Sequence, residues 1–254
     1  MLEEITPVIL TFDEAPNIGR CLERLAWAKD IVVVDSGSSD ETVQICGRHP
    51  QVRLFTRPFD THAAQWNFAI TETGIASAWI LSLDADYMLT KPLVEELAAL
   101  RPAASSDGYW LGFRYAVMGR VLRSGIYPPV LALLRRGKSR YLQDGHTQRA
   151  VVDGASGKLV NRAIHDDQKS LARWLRSQHA YAVLEAEKLE SGGGGMKRWL
   201  RSRTPLAAPL MAAYCLIWRG GILEGPSGWY YAAQRTLAEA MISAALLDRR
   251  LRRR

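Results

Sequence analysis

Residues 31–42 read IVVVDSGSSDET, an uninterrupted apolar run that ends in a carboxylate and a polar turn. The β-branched side chains at its start predict a strand that is buried on both faces. The turn leads to Asp40, a residue type that commonly caps the first turn of a helix. This stretch therefore predicts a strand followed by a helix, the unit from which parallel sheets are built.

The same alternation continues on both sides of this stretch. Apolar periodicity predicts strands at 7–12, 51–57 and 78–83, and helices at 17–28 and 62–73. Beyond about residue 105 the alternation ends, and residues 170–189 predict a long amphipathic helix. We expect an α/β domain over residues 1–165, with a mostly parallel sheet flanked by helices, and a basic helical region over residues 166–254.

Charge is distributed unevenly along the chain. Residues 1–100 hold 7 Lys and Arg against 15 Asp and Glu, whereas residues 101–254 hold 26 against 11. The two parts are therefore expected to meet different partners.

Three cysteines without metal-binding spacing predict small core side chains in a reducing compartment. The acidic first residues, MLEE, do not resemble a signal peptide, and no apolar run reaches the roughly 18 residues of a spanning helix. We expect a cytoplasmic protein.

Carboxylates follow three of the predicted strands: Asp13, Glu14, Asp35, Asp84 and Asp86. Ligands bind beyond the carboxyl ends of parallel strands, and converging acids repel each other unless a cation or hydrogen-bond donors compensate them. Asp84 and Asp86 are two apart and can face one ion, and Mg²⁺ or Mn²⁺ takes carboxylates together with substrate phosphates. Because this pattern is weak by itself, a role for Asp86 in capping the next turn stays open.

Three motifs together, TFDE at 11–14, VVVDSGSSDET at 32–42 and LSLDAD at 81–86, resemble the inverting glycosyltransferases of family 2, which have the GT-A fold. The resemblance is strongest to the bacterial branch that adds sugars to the lipopolysaccharide core. Weaker matches extend it over most of the chain: Arg57-Pro58, Gln65, Asn67-Phe68-Ala69, Gly119-Arg120, Tyr127-Pro128, Arg135-Arg136-Gly137, His165, Ser170-Leu171 and residues 221–225.

The resemblance implies a nucleotide-sugar donor, expected to be a UDP-sugar. In such enzymes Asp35 would accept the uracil N–H, while Thr11 and Glu14 would help to form the base and ribose pocket. Asp84 would face the ribose or the donor sugar, and Asp86 would hold Mg²⁺ or Mn²⁺ on the diphosphate.

Two further residues are candidates for binding the nucleotide-sugar. Arg57 is a candidate phosphate contact, with a solvated loop charge as the alternative, and Gln65 belongs to a matching motif. Asp40 is expected to have a structural rather than a ligand-binding role.

The catalytic base is expected within residues 143–148, where related proteins tend to show a His-Glu pair and this chain has His146-Thr147. Asp144 and His146 are the candidates. We favour Asp144, because a carboxylate also stabilises the positive charge that develops on the sugar, although either side chain could instead hold a loop together. Direct displacement would invert the anomeric carbon.

Three positions depart from the family pattern. Trp66 stands where the family often has lysine, Ala132 where it often has arginine, and Asp13 where it often has asparagine. The contacts with the donor phosphates are therefore expected to differ from those of better-known members.

The region after residue 195 combines arginines and lysines with Trp199, Trp218, Trp229, Tyr230 and Tyr231. This composition is typical of a helix in the headgroup layer of an anionic membrane. We expect peripheral association with the inner face of the cell membrane and a glycolipid or lipopolysaccharide-core acceptor. Packing against the sheet or in a dimer interface is the alternative.

Two other functions fit parts of the sequence. A sugar-nucleotide nucleotidyltransferase would share the fold, but the first strand is followed by acids rather than by a glycine-rich phosphate loop. A non-catalytic basic adaptor for membranes or nucleic acid would leave the acidic crevice unexplained. Because those acids would repel a phosphate backbone, we expect no nucleic-acid partner.

Overall fold

The computed structural model describes residues 1–144, 147–191, 201 and 206–253 of the 254-residue chain. The chain divides into two compact units. Unit 1 comprises Met1–Arg114 and Tyr127–Gln168, and unit 2 comprises Tyr115–Ile126 and Lys169–Arg254. The domain boundary that the sequence suggests, near residue 165, stays a prediction.

Strands and helices alternate in the first part of the chain, and strands dominate from residue 106 to residue 165. In chain order the elements are β1 (Ile5–Thr11), α1 (Ala15–Glu23), β2 (Ile31–Asp35), α2 (Thr42–Cys46), β3 (Val52–Thr56), α3 (His62–Thr71), β4 (Trp79–Asp84), β5 (Tyr87–Met88), α4 (Lys91–Ala99), β6 (Ser106–Val117), β7 (Arg120–Val121), β8 (Val130–Arg135), β9 (Ser139–Asp144), β10 (Thr147–Val152) and β11 (Ala155–His165). The predicted α/β class is confirmed.

The main sheet has the strand order β3-β2-β1-β4-β8-β6-β11-β5. Strands β3, β2, β1 and β4 are parallel neighbours, whereas β8 pairs antiparallel with both β4 and β6. Strands β9 and β10 form a separate antiparallel hairpin. Because β1, β2 and β4 run in the same direction, their carboxyl ends meet at one edge of the sheet.

The two faces of the parallel strands support separate cores. Ile31 and Val33 belong to the cluster that packs with α1 and α4, and Val32 and Val34 belong to the cluster that packs with α3. Successive side chains of a strand point to opposite faces, so an unbroken apolar run fills both cores. Cysteines 21, 46 and 215 are buried and free, which confirms their predicted packing role.

Unit 2 is mainly helical. Among its described residues the helices are α5 (Leu171–Ser191), α6 (Ala207–Ala213) and α7 (Gly225–Arg252), with a π-helical turn at Tyr214–Trp218 and a 3-10 turn at Gly221–Glu224. Its core joins Val117, Leu122, Cys215, Tyr231 and Ala232. No helix among the residues that the structure describes is long and apolar enough to cross a membrane.

Tyr231 is a correction to the expected membrane-facing set. It is almost fully buried, and its hydroxyl accepts the Ile126 N–H at 2.8 Å and lies 3.1 Å from the Ile126 carbonyl. Tyr230 packs against the same cluster. Residues 192–200 and 202–205, which include most of the predicted basic segment, lie outside the described residues.

Candidate active site

The ends of β1, β2 and β4 place three predicted site residues side by side. Thr11 is in register with Asp35, and Leu10 is in register with Asp84. We call the residues at and directly after the carboxyl ends of β1 to β4 the carboxyl edge. Thr11, Asp35 and Asp84 share this edge because the sheet is parallel here.

Asp35 holds the loop that follows β2. Its Oδ2 accepts the backbone N–H groups of Gly37 at 2.9 Å and Ser38 at 2.8 Å. Its Oδ1 accepts the hydroxyls of Ser38 at 2.5 Å and Thr11 at 3.0 Å. A carboxylate offers about four acceptor sites, so a uracil N–H would have to share an oxygen with these groups.

Asp13 explains one departure from the family pattern. Its φ of 51° lies in the left-handed region, which Asn and Asp tolerate better than most residues. Its Oδ1 accepts the backbone N–H of Ser39 at 2.6 Å, and its own N–H donates to Ser38 Oγ at 2.7 Å. Aspartate can therefore replace asparagine here without a change in the backbone.

Asp40 has the structural role that we expected, at a slightly different position. Helix α2 begins at Thr42 with Glu41 as its N-cap residue. The Asp40 carboxylate accepts the N–H of Thr42 at 3.0 Å and that of Ala15 at 3.1 Å. It therefore joins the first turns of α1 and α2.

Glu14 is tied to the segment that follows β11. The buried Asn17 side chain donates to Glu14 Oε2 and to Asp167 Oδ1, both at 2.9 Å. Its carbonyl oxygen accepts the N–H of Gln168 at 2.9 Å. The Glu14 carboxylate is therefore held in place at the edge.

The sequence marked His165, a further candidate site residue, only as part of a weak match. Its Nε2 lies 3.4 Å from Asp86 Oδ2, and both side chains are mostly buried. Strand pairing brings them together, because His165 is in register with Tyr87 and the Asp166 N–H donates to the Asp86 carbonyl at 3.0 Å. The weak family match at this position is the sequence signal that points to it.

The charge of the edge is evident at Tyr87. Burial, followed by the charge of Asp84 and then by Tyr127 and Asp86, raises the pKa of Tyr87 well above 10. The Tyr87 and Tyr127 hydroxyls lie 2.7 Å apart. Tyr87 therefore stays a neutral hydrogen-bonding group beside both acids.

The chemistry of this donor set fits the expected cation. Carboxylate oxygens together with substrate phosphates suit Mg²⁺ or Mn²⁺, and the neighbouring imidazole adds one nitrogen donor. If the site binds such an ion, the Asp86 carboxylate and the His165 imidazole are groups that would hold it. Within the described part of the chain, no group of three His, Cys, Asp or Glu side chains gathers as a metal site.

Arg57 and Gln65 brace the loops after β2 and β3. The Arg57 guanidinium donates to Asp60 at 2.8 and 2.9 Å and also to Gln65, so it is an ion-pair member rather than a solvated charge. The Gln65 amide donates to Ser36 Oγ at 2.9 Å and to the Arg57 carbonyl at 3.0 Å. A phosphate at Arg57 would have to compete with Asp60.

Asp144 approaches the same edge through the β9–β10 hairpin. Helix α3 follows β3, so it begins near the carboxyl edge. Gln143 accepts the Ala63 N–H at the start of this helix at 3.1 Å, and Tyr141 is hydrogen-bonded to Asn67, one turn further along. Strand β9 therefore runs toward the edge and ends there at Asp144. His146, the other candidate base, lies outside the described residues.

A family model described as Glycosyl transferase family 2 matches residues 6–167, more than half of the chain. The chain belongs to glycosyl transferase family 2. The prediction of a glycosyltransferase is thereby confirmed.

Similar proteins agree with this assignment. The lipopolysaccharide core biosynthesis glycosyltransferase LpsC of Rhizobium meliloti is 28% identical over 201 residues, which cover 74% of this chain and 73% of LpsC. An uncharacterized glycosyltransferase of Rickettsia felis is 32% identical over 109 residues, which cover 42% of this chain and 38% of that relative. The match therefore spans less than half of the Rickettsia protein.

Solved structures show the fold. The crystal structure of S. aureus TarS 1-349 in complex with UDP-GlcNAc aligns with a TM-score of 0.51 at 14% identity, over 97% of this chain and 91% of that chain. The TarS 1-349 complex with UDP aligns equally well. The predicted GT-A fold is confirmed.

In this family 2 glycosyltransferase, the other two departures are core positions. Trp66 is buried and stacks on Tyr141, with ring centroids 5.1 Å apart. Ala132 is buried within the main core. Neither position offers a charged side chain to a phosphate.

Proposed function

We propose that this glycosyltransferase transfers a sugar from a UDP-sugar, with inversion, to a lipopolysaccharide-core or other lipid-linked acceptor at the inner face of the cell membrane. The pairing of Asp86 with His165 beside Asp84 is the observation that carries the proposal. The UDP-GlcNAc and UDP complexes of TarS support the donor class. The name of LpsC supports the acceptor class.

The carboxyl edge supplies the donor site in this proposal. Thr11, Glu14 and Asp35 shape the base and ribose pocket, and Asp84 faces the ribose or the donor sugar. Because Asp35 is already bonded to its own loop, it acts mainly by fixing the backbone against which the base lies. Arg57 and Gln65 fix the neighbouring wall of this pocket.

Asp86 and His165 would hold Mg²⁺ or Mn²⁺ where the donor diphosphate lies. When bound, such an ion offsets the negative charge that builds on the leaving nucleoside diphosphate. The Tyr87 hydroxyl beside Asp84 and Asp86 stays neutral, so it adds no further negative charge to this site.

Asp144 acts as the base. Its carboxylate takes the proton of the acceptor hydroxyl, and the resulting oxygen attacks the anomeric carbon. A new glycosidic carbon–oxygen bond forms while the bond to the diphosphate oxygen breaks, and the electron pair of that bond leaves with UDP. Attack from the opposite face inverts the anomeric carbon. His146 is the alternative base.

The proposal is tested by incubating the purified chain with UDP-, GDP- and dTDP-sugars, with and without Mn²⁺. We expect release of UDP that depends on the metal ion and, when a lipopolysaccharide-core acceptor is added, a new glycosidic bond of inverted configuration by NMR. Pyrophosphate exchange would instead indicate a nucleotidyltransferase. Absence of both activities with every donor would indicate an adaptor.

The base is tested with Asp144→Asn. We expect transfer to fall by about 10² to 10⁴-fold, while donor binding measured by thermal shift is retained. Asp153→Asn is the matched control, because Asp153 is an exposed acid of the same hairpin that pairs with Arg140 at 3.0 Å. Unchanged transfer in Asp144→Asn would move the role to His146.

A further inference from the structure

Four large apolar side chains are exposed within seven residues of unit 2. The exposed fractions are 75% for Ile217, 83% for Trp218, 55% for Ile222 and 88% for Leu223. We call residues 217–223 the apolar turn. A cluster of this kind on a soluble protein usually marks a binding surface for another protein or for a membrane.

The apolar turn has a fixed backbone. The Gly220 N–H donates to the Ile217 carbonyl at 3.1 Å, and the Leu223 N–H donates to the Gly220 carbonyl at 3.0 Å. A Cβ atom at Gly221 would lie 2.7 Å from the Cys215 carbonyl oxygen, and one at Gly228 would lie 2.1 Å from the Gly221 carbonyl oxygen. Glycine is therefore required for this packing, and the exposed side chains project from a defined surface.

Polar side chains fasten the apolar turn to residues 123–125. Glu224 accepts the N–H of Arg123 at 2.5 Å, the N–H of Ser124 at 3.1 Å and the Ser124 hydroxyl. Arg219 donates to the carbonyls of Ser124 and Gly125, both at 3.3 Å. Arg219 and the adjacent Glu224 thus anchor the turn, and its apolar side chains are exposed.

The surroundings of the turn are basic. Arg120, Arg123 and Arg219 are exposed, and unit 2 as a whole has 17 Lys and Arg against 6 Asp and Glu, a net of +11. Tryptophan and aliphatic side chains beside arginines suit the headgroup layer of a membrane with anionic lipids. The charge complements such a surface.

We propose that the apolar turn inserts into the headgroup layer of an anionic lipid bilayer, with Arg120 and Arg123 against lipid phosphates. This inference deepens the proposed function and rests on it for the location of the acceptor. A second copy of the chain is a poorer partner, because a symmetric contact would bring the arginines around both turns together.

The test is sedimentation of the 254-residue chain with vesicles of phosphatidylcholine and phosphatidylglycerol at a ratio of about 7:3. We expect Trp218→Ser with Leu223→Ser to weaken binding by tenfold or more, which corresponds to about 1.4 kcal/mol. Phe59→Ser with Val160→Ser is the matched control, since both side chains are exposed apolar residues of unit 1, and we expect it to bind as the wild type does.

Charge is tested separately. Arg120→Gln with Arg123→Gln is expected to weaken binding to the anionic vesicles severalfold while binding to pure phosphatidylcholine stays the same. Equal anionic-vesicle binding by the wild type and the Trp218 and Leu223 double variant would overturn the proposal. The proposal would also be overturned if the wild type did not bind vesicles but formed a dimer, measured by light scattering, that the double variant did not form.

Release of UDP from soluble donor is measured on the same samples. Vesicle binding without any release by the wild type would reject the proposed function and retain the membrane surface. Release without vesicle binding would reject the membrane surface and retain the enzyme. Circular dichroism melting verifies that each variant is folded.

Discussion

The carboxyl edge and the apolar turn both contain short connections whose backbone is held by hydrogen-bonded polar side chains. At the edge, Asp35 and Asp13 accept hydrogen bonds from neighbouring loops, and Asp13 takes a left-handed conformation. At the turn, Glu224 plays the anchoring part and Gly220, with a φ of 74°, supplies the left-handed residue. The two regions differ in the chemical type of the side chains that they present.

That difference indicates two kinds of partner. Acidic side chains remain at the edge, where a cation and hydrogen-bond donors would compensate them. Apolar side chains surrounded by arginines remain at the turn, where lipid would cover them. Hydrogen bonds hold the backbone at both places, so the folded structure determines which side chains are exposed there.

The largest expected effect comes from removing one negative charge from the carboxyl edge. Asp86→Asn should lower metal-activated release of UDP by about 10² to 10³-fold, because an amide oxygen binds a divalent cation more weakly than a carboxylate. A Mn²⁺ titration of the release rate measures it. Asp153→Asn is the control, and an unchanged titration curve in Asp86→Asn would remove Asp86 from the metal site.

The next largest effect comes from disturbing the backbone packing of the apolar turn. Gly228→Ala should lower the free energy of unfolding by about 3 kcal/mol, because the new methyl group meets the Gly221 carbonyl. Urea unfolding measures it. Ser227→Ala in the same helical turn should change stability by less than about 0.5 kcal/mol. Equal stability of the two variants would show that the turn can relax.

A smaller effect separates conformation from charge at the edge. Asp13→Ala should lower the free energy of unfolding by about 2 kcal/mol, because alanine is unfavourable at positive φ and cannot accept the Ser39 hydrogen bonds. Asp13→Asn should be within about 0.5 kcal/mol of the wild type, since asparagine meets both needs. An asparagine variant as unstable as the alanine variant would show that the charge matters.

The smallest effect sharpens the role of Glu224 in the turn. Burial raises the pKa of Glu224, but hydrogen bonds from Ser124 and from the Arg123 N–H lower it by more than burial raises it, so the net effect of folding is to lower the pKa of this carboxyl. Its stabilising contribution is therefore present above the unfolded-state pKa and is lost as the pH falls through the folded-state value. Unfolding of Glu224→Gln should depend less on pH below about 5 than unfolding of the wild type.

Much of unit 1 could be predicted from the sequence, because each of its strands is recognisable from a short apolar run. The run at 31–34 is buried on both faces as expected, and Asp35 and Asp84 end the two strands that flank β1. The sequence predicts the cap of α2 one residue too early: Glu41 is the N-cap residue, and Asp40 accepts hydrogen bonds from the first turns of two helices.

Unit 2 was harder to predict, because its composition does not say which side chains face solvent. Tyr231 and Trp218 both looked interfacial, yet one is in the core and the other is exposed. The distinction arises from packing: the Tyr231 hydroxyl reaches the backbone of Ile126, far away in the sequence. Periodicity cannot resolve this in a segment rich in apolar residues throughout.

The sequence alone determined the α/β class, the family and the positions of the acids, since these depend on short motifs and on the period of the strands. Tertiary structure decided that His165 meets Asp86, that Trp66 and Ala132 are core residues, and that residues 217–223 form an exposed apolar surface. Each of these facts depends on the pairing and packing of segments remote in the chain. Such pairing is set by the global balance of burial and hydrogen bonding, which no local pattern encodes.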